Sequence, residues 1–145
     1  MKINMKRVHT LKDLAISLSI TIAGAGIFFC HKDLGSCIVA CGLIMLLVFR
    51  SGYRIDGKGA VLRKKSADLC KCCKPSILDY LNGMDITPVV KKGNEGGVIH
   101  LEVYYNAEEG IAYAQLFEFR NYTYEPETEM IELHYPKAGK LVSQL

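Results

Sequence analysis

Residues 14–49 decide how this chain folds, and they read LAISLSITIAGAGIFFC (14–30), HKD (31–33) and LGSCIVACGLIMLLVF (34–49). The two long segments contain no charged residue, and only three polar residues separate them. A membrane-spanning helix needs roughly 17 to 25 apolar residues, so both segments lie near the short end of that range. The sequence therefore predicts a transmembrane hairpin of two helices, 14–30 and 34–49.

Basic residues flank this hairpin on both sides. Residues 1–13 and residues 50–65 each carry more bases than acids, whereas the turn between the helices has no net charge. Because cytoplasmic segments of membrane proteins are enriched in Lys and Arg, both chain ends are expected in the cytoplasm. The predicted organisation of this integral membrane protein is a basic N-terminus (1–13), the hairpin (14–49) and a cytoplasmic domain (50–145).

Two other interpretations of the apolar segments compete with the hairpin. Residues 1–26 have the basic start and small-residue end of a signal peptide, although the second apolar segment would then remain as an anchor. A soluble, buried pair of helices would have to be apolar on every side. Neither segment holds an ionisable residue, which disfavours a channel or a pump.

Small residues recur along both apolar segments, several of them four positions apart, so that each such pair falls on one helix face. Small side chains let membrane helices approach closely. The predicted helix-packing residues are Ser19, Ala23, Gly24, Gly26, Ser36 and Ala40. The same small faces could receive a second copy of the chain or another membrane protein.

The net charge of +3 belongs to the segments beside the hairpin, because acids outnumber bases in residues 81–145. Basic residues next to a membrane attract anionic headgroups. The predicted membrane-surface residues are Arg50, Arg54, Arg63, Lys64 and Lys65, with an ordinary solvated basic strand edge as the alternative. No basic stripe with interleaved aromatic residues follows, so nucleic acid is not an expected partner.

Residues after position 50 predict a small α+β domain with an antiparallel β-meander. Residues 51–65 suggest a short β-hairpin or an extended segment, and Pro75 begins a helix that closes at Asn82-Gly83. From Val98 the apolar period changes to two, which indicates strands from 98, over 111–122 and over 129–135. Helical spacing returns after Pro136 and predicts a final helix that covers the sheet.

Three cysteines outside the apolar segments, Cys70, Cys72 and Cys73, are the sharpest candidates for chemistry. Thiols at this spacing can bind a soft metal or form a redox disulfide, and neighbouring lysines lower their pKa. A structural zinc site needs four ligands, and no second pair of cysteines supplies the rest. The alternatives are that these membrane-proximal thiols are acylated or that the residues only pack.

His100 and His134 lie on the polar phase of their strands, with Glu102 and Glu132 two residues away. Neighbouring strands would bring them together as a metal or proton-transfer site, whereas unpaired strands leave a solvated polar face. Six tyrosines of the domain could also form a partner surface: Tyr104, Tyr105, Tyr113, Tyr122, Tyr124 and Tyr135.

The sequence shows no phosphate-binding loop, nucleophile elbow or metalloprotease motif, so no enzymatic activity and no cofactor are expected. The expected function is a membrane-anchored, non-enzymatic interaction or regulatory module whose partners are the bilayer, a second copy or another membrane protein. The alternative is a membrane-tethered thiol-redox or metal-binding protein that uses Cys70, Cys72 and Cys73.

Overall fold

The computed structural model describes residues 4–55, 59–84, 86–93 and 98–145. Within these ranges the chain contains helices and antiparallel β-sheet and is an α+β protein. It divides into two compact units, Lys6–Arg54 and the remainder. The elements in chain order are β1 (Met5–Val8), α1 (Leu11–Phe28), α2 (Lys32–Val48), β2 (Gly52–Ile55), β3 (Arg63–Cys70), a 3₁₀ turn (Lys71–Cys73), α3 (Lys74–Leu81), β4 (Val98–Asn106), β5 (Ile111–Arg120), β6 (Thr123–Pro126), β7 (Ile131–His134) and α4 (Lys137–Gln144).

The first unit is a helical hairpin in which α1 and α2 pack along their length, and β1 and β2 pair as a two-stranded sheet. Helix α1 begins three residues before the predicted start because Thr10 caps it. The Thr10 hydroxyl accepts the N–H of Asp13 at 3.2 Å, and the Asp13 carboxylate accepts the N–H of Thr10 at 2.9 Å. This reciprocal cap satisfies backbone donors that a helix start otherwise leaves unpaired.

The second unit is a five-stranded antiparallel sheet with β3, β4 and β5 side by side. Strands β6 and β7 lie one after the other along the same edge of β5, where they pair with its second and first halves. Two residues with positive φ, Asn121 and Tyr122, make the tight turn from β5 into β6. Residues 127–130 form the break between β6 and β7.

The core lies between one face of this sheet and helices α3 and α4. Leu101 and Leu116 oppose each other on β4 and β5 and are fully buried, as are Ile77 of α3 and Leu141 of α4. Full burial of such side chains stabilises a fold by roughly 1.5–3 kcal/mol each. The helix predicted from Pro75 and the helix predicted after Pro136 are both confirmed, and both cover the sheet.

Three features of the strands narrow or go beyond what the sequence predicts. Strand β2 pairs with β1, so of the two alternatives for residues 51–65 the described residues fit an extended segment better than a local β-hairpin; residues 56–58 lie outside the described residues. Strand β6 was not expected, since its turn lacks glycine. Tyr135, the last residue of the predicted strand 129–135, lies just after the end of β7 at His134 and is 79% exposed.

Candidate functional site

Glycines let the two helices of the hairpin approach each other closely. A Cβ atom at Gly24 would lie 2.7 Å from the backbone nitrogen of Val39. A Cβ at Gly35 would overlap the backbone of Phe28, and one at Gly42 would overlap Thr21. The helix pair is therefore built on direct contact between backbones, as membrane helix pairs commonly are.

Of the six predicted helix-packing residues, the structure buries Gly24 alone. The other five lie on exposed helix faces, and a Cβ at Gly26 would contact nothing within 4 Å. The buried small residues instead are Ser17, Gly24, Gly35 and Gly42. Sequence spacing finds small residues but does not tell which face of a helix meets its partner. The exposed positions are Ser19, Ala23, Gly26, Ser36 and Ala40.

The outside of the hairpin is apolar. Ile22 in the middle of α1 is 63% exposed, and Ile44 and Leu47 of α2 are 59% and 74% exposed. The pattern continues around both helices at Leu14, Ile16, Leu18, Phe28, Leu34, Leu43 and Val48. Small residues inside and large apolar residues outside reverse the arrangement of a soluble helix pair, whose apolar stripe faces its core.

Among the residues that the structure describes, α1 is long and apolar enough to cross a membrane. Helix α2 has 17 residues, one fewer than the 18 of α1, and begins with Lys32 and Asp33. Because α1 lies near the N-terminus, it is weak evidence for membrane insertion: a signal sequence shares its length and composition. The predicted second span and the topology stay predictions.

Asp13 holds the two ends of the hairpin together and was not recognised from the sequence. Besides capping α1, its carboxylate accepts the N–H of Ser51 at 2.9 Å and the Ser51 hydroxyl at 2.6 Å. Asp13 is 2% exposed, so these bonds replace most of its contact with water. The signal that could have found it is the spacing of Thr10 and Asp13, which is that of a capping box.

The predicted membrane-surface residues differ in their local partners. Arg50 is exposed and donates from Nε to Nε2 of His9 at 3.3 Å, and Arg54 is exposed. In β3, Lys64 and Lys65 point to opposite faces of the sheet, where Lys64 pairs with Glu102 and Lys65 donates to the Val142 carbonyl at 2.9 Å.

Arg63 is exposed at the start of the same strand. Lys64 and Lys65 both bond to other residues of the domain. For β3, an ordinary solvated basic strand edge is therefore a better interpretation than a set of residues that bind lipid headgroups. Contact of these residues with lipid stays a prediction.

The three candidate cysteines lie together where β3 ends and the 3₁₀ turn begins. Sγ of Cys70 accepts the N–H of Cys72 at 3.4 Å, and Sγ of Cys72 lies 3.9 Å from Sγ of Cys73. Cys72 is exposed, Cys70 half-buried, and Cys73 buried in the core. Within the described ranges no three His, Cys, Asp or Glu side chains are grouped so that they could hold a metal ion.

Hydrogen bonding makes the thiols of Cys70 and Cys72 unequal. The Cys72 thiol and its backbone N–H both donate to the Cys70 sulfur, and with the charge of Lys91 they lower the pKa of Cys70. The same thiol hydrogen bond, with desolvation, raises the pKa of Cys72 to about 11. Cys70 is thus the thiol that loses its proton more readily.

A cluster of five charges, absent from the sequence-based candidates, stands beside these cysteines. The carboxylate of Glu118 contacts Lys71 at 2.6 Å, Lys74 at 2.9 Å and Arg120 at 2.6 Å. Glu127 pairs with Lys74 at 2.7 Å and with Arg120 at 2.8 Å. The hydrogen bond from Lys71, followed by those from Lys74 and Arg120, holds the pKa of Glu118 far below its ordinary value.

This charge cluster joins the start of α3 to β5 and to the break before β7. The sequence does contain a signal for this cluster, because Glu118 continues the alternation of Ala112, Ala114 and Leu116, which face the core. The side chain of Glu118 is only 7% exposed. A carboxylate in such a position needs partners. The cluster is structural support for the turn that carries the cysteines.

Of the two alternatives for His100 and His134, the structure supports separate polar faces and not a joint His/Glu cluster. Strands β4 and β7 flank β5 on opposite sides, so His100 and His134 are separated by a whole strand. His100 instead contacts Asp68 at 2.7 Å and Glu102 at 3.4 Å. Burial raises the pKa of Glu102, but hydrogen bonds from Lys64 and Tyr104 outweigh it and leave that pKa lowered.

The six tyrosines predicted as a partner surface differ in how exposed they are. Tyr104 and Tyr113 are buried, Tyr105 is half-buried, and the remaining three are exposed. Phe119 and Tyr124 meet edge to face with ring centroids 5.2 Å apart, and Tyr124 lies 5.3 Å from His100. The exposed aromatic surface of the domain is thus concentrated on the β5–β6 hairpin.

Comparison with known protein families, with curated proteins and with solved structures finds no match for this chain.

Proposed function

We propose that the α1–α2 hairpin is a two-span membrane anchor and that the chain works as a non-enzymatic interaction or regulatory module carried by this anchor. The observation that supports it is the inverted packing of the hairpin, with glycines at the helix contact and Ile22, Ile44 and Leu47 uncovered outside. In water each exposed Å² of this apolar surface would cost about 25 cal/mol relative to burial. Lipid removes that cost.

The lengths of the helices agree with two spans. At about 1.5 Å per residue, α1 and α2 are about 27 and 26 Å long, and a bilayer core is about 30 Å thick. The difference is small enough for local thinning of the bilayer or snorkelling of Lys12, Lys32 and Arg50 to accommodate it.

The charges at the two ends of the hairpin favour one orientation. Lys6, Arg7, Lys12, Arg50 and Arg54 are near the open end, whereas the turn has Lys32 and Asp33, which cancel. The open end is therefore the cytoplasmic one. In this proposal both termini, and the domain with its exposed aromatic β5–β6 hairpin, lie in the cytoplasm.

Topology labelling tests the two-span anchor. The variants Lys6→Cys, Lys32→Cys and Ser143→Cys are treated with a membrane-impermeant maleimide in intact and in lysed cells, and mass spectrometry locates the label. We expect labelling at position 32 in intact cells, and at positions 6 and 143 only after lysis. Labelling of positions 6 and 143 from opposite sides of the membrane would contradict two spans. A mature protein that lacks the residues before α2 would show that α1 is a cleaved signal sequence.

Membrane extraction tests insertion itself. The full-length protein should resist alkaline carbonate, whereas Ile22→Arg combined with Ile44→Arg should release it, because each charge at a helix centre costs about 2.5–3.5 kcal/mol. Tyr122→Arg, at a position that is 94% exposed in the domain, is the matched control and should stay with the membrane. Release of the parent protein would refute the anchor.

Capture of a partner tests the module. Exposed aromatic residues are typical of contact surfaces, and Phe119, Tyr122 and Tyr124 provide them here. Full-length protein purified in mild detergent should carry a stoichiometric partner or form an oligomer, and Tyr122→Ser with Tyr124→Ser should weaken that association. A monomer without partners would contradict an interaction module.

A further inference from the structure

Cys70, Cys72 and Cys73 form a thiol cluster in which contact and access differ from residue to residue. The Cys70 sulfur accepts the N–H of Cys72 at 3.4 Å, and the Cys72 sulfur is 3.9 Å from that of Cys73. Cys72 is open to solvent and Cys70 partly so, while Cys73 is 2% exposed and packs in the core with Ile77. A small molecule in solution can therefore reach two of the three thiols.

We propose that Cys70 and Cys72 are a dithiol that undergoes exchange with low-molecular-weight disulfides, with Cys70 as the attacking thiol and Cys72 as the resolving thiol. This goes beyond the anchoring function and does not depend on it.

The hydrogen bonds decide which thiol attacks. The thiolate is the nucleophile in thiol–disulfide exchange, and Cys70 is where negative charge is best accommodated, because its sulfur accepts the backbone N–H of Cys72 at 3.4 Å. Cys72, as the donor of the thiol hydrogen bond, keeps its proton while Cys70 reacts. Once Cys70 is in a disulfide, it no longer holds the Cys72 proton in that hydrogen bond.

The reaction balances in two steps. The Cys70 thiolate attacks one sulfur of a disulfide RSSR, forms the mixed disulfide Cys70–S–S–R and releases RS⁻, which takes up a proton. The Cys72 thiolate then attacks Sγ of Cys70 and expels the second RS⁻. In sum, two cysteine thiols lose two protons and two electrons to form the Cys70–Cys72 disulfide, and RSSR is reduced to two RSH.

Chain geometry disfavours the other pairing that the sulfurs suggest. Consecutive Cα atoms are about 3.8 Å apart, whereas disulfides join Cα atoms about 4.4–6.8 Å apart. A bond between the neighbours Cys72 and Cys73 would therefore be strained, although their sulfurs are near. Residues two positions apart, as Cys70 and Cys72 are, can reach the favourable range.

Trypsin provides a direct test, because it cuts after Lys71 and so separates Cys70 from Cys72 and Cys73. Full-length protein in detergent is treated with oxidised glutathione, quenched with N-ethylmaleimide in acid, and digested without reductant. We expect the peptide that ends at Lys71 to remain joined to the peptide that begins at Cys72. Separate peptides after full incubation would overturn the proposal.

Three variants assign the roles. Cys72→Ser should accumulate glutathione on Cys70, because the resolving thiol is missing. Cys70→Ser should abolish the linked peptides, and glutathione should add to Cys72 in this variant more slowly than it adds to Cys70 in Cys72→Ser, because the Cys70 sulfur accepts a backbone N–H that stabilises its thiolate. Cys73→Ala should leave the linkage intact, and circular dichroism checks that each variant is folded.

Two results would contradict the assignment even if the parent protein forms a link. Loss of the linked peptides in Cys73→Ala would show that Cys73 is the partner of Cys70. Early accumulation of glutathione on Cys72 of the parent would show that Cys72 attacks first.

Discussion

The carboxylate of Asp13 accepts both the backbone N–H and the hydroxyl of Ser51, at 2.9 Å and 2.6 Å. The two residues are 38 positions apart in the chain, at the start of α1 and just after the end of α2. One side chain thus caps the first helix and fixes the exit of the second.

Removing this carboxylate should loosen the open end of the hairpin. In Asp13→Ala the N–H groups of Thr10 and Ser51 lose their charged acceptor, and a hydrogen bond to a charged group contributes about 1.5–3 kcal/mol. Hydrogen exchange of the full-length protein in detergent should speed up in peptides that contain these amides. Lys12→Ala, one position away and exposed, is the control, and equal protection in both variants would contradict the role of Asp13.

Adding a methyl group at the helix contact should separate α1 from α2. Gly35→Ala places a Cβ against the backbone of Phe28, and overpacking of this kind costs about 1–3 kcal/mol. Gly26→Ala is the matched control, because its Cβ meets nothing within 4 Å and alanine favours the helix by about 1 kcal/mol. Thermal unfolding in detergent should show a lower midpoint for Gly35→Ala and an equal or higher one for Gly26→Ala. The reverse order would refute the packing.

Glu118 should make the domain sensitive to acid. Its pKa in the folded state lies below the ordinary value of 4.5, so its contribution to stability is present above pH 4.5 and is lost as the pH falls toward the folded-state pKa. Glu118→Gln should therefore unfold more easily than the parent at pH 7, and the difference should shrink below pH 4.5. Tyrosine near-UV circular dichroism follows the transition.

The control for this pH dependence is Glu109→Gln in the exposed turn before β5, which should follow the parent protein at every pH. A difference between parent and Glu118→Gln that stays constant down to low pH would show that ion pairing with Lys71, Lys74 and Arg120 is not its source.

Tyr122 occupies the left-handed region at φ 64°, which costs a residue other than glycine about 1–2 kcal/mol. Because its side chain is 94% exposed, Tyr122→Gly loses no packing and should raise the free energy of unfolding by up to about 1 kcal/mol. Tyr122→Ala keeps the strain and should show no gain. A tyrosine retained at such a position is consistent with a contact role, so Tyr122→Gly should also weaken the partner association proposed for the β5–β6 hairpin.

Local patterns predicted the helices of this protein well. The uncharged runs place α1 and α2, and Pro75 with helical spacing places α3, because helices are built from contacts between residues three and four apart. Which face of a helix is buried depends on the partner helix. The spacing of small residues alone therefore did not distinguish Gly42, which is buried, from Ser19 and Gly26, which are exposed.

Strand pairing was harder to predict, because it joins residues far apart in the sequence. The alternation from Val98 correctly indicates β4, but nothing local shows that β2 pairs with β1, or that β4 and β7 lie on opposite sides of β5. The cysteines were found because their spacing is local. Glu118 and Asp13 were missed, since their roles appear only when distant partners are brought to them.

The edge of the large sheet formed by β6 and β7 also affects how neighbouring copies of the protein can associate. Strands β6 and β7 are four residues each, separated by the break at 127–130, and β6 ends in Pro126, which has no N–H to offer a neighbour. Short, interrupted edges with proline resist pairing with the edge of another molecule. Copies held side by side in two dimensions by the proposed anchor would meet at high local concentration. The interrupted β6–β7 edge would then offer a neighbouring copy no continuous row of backbone donors and acceptors with which to extend the sheet.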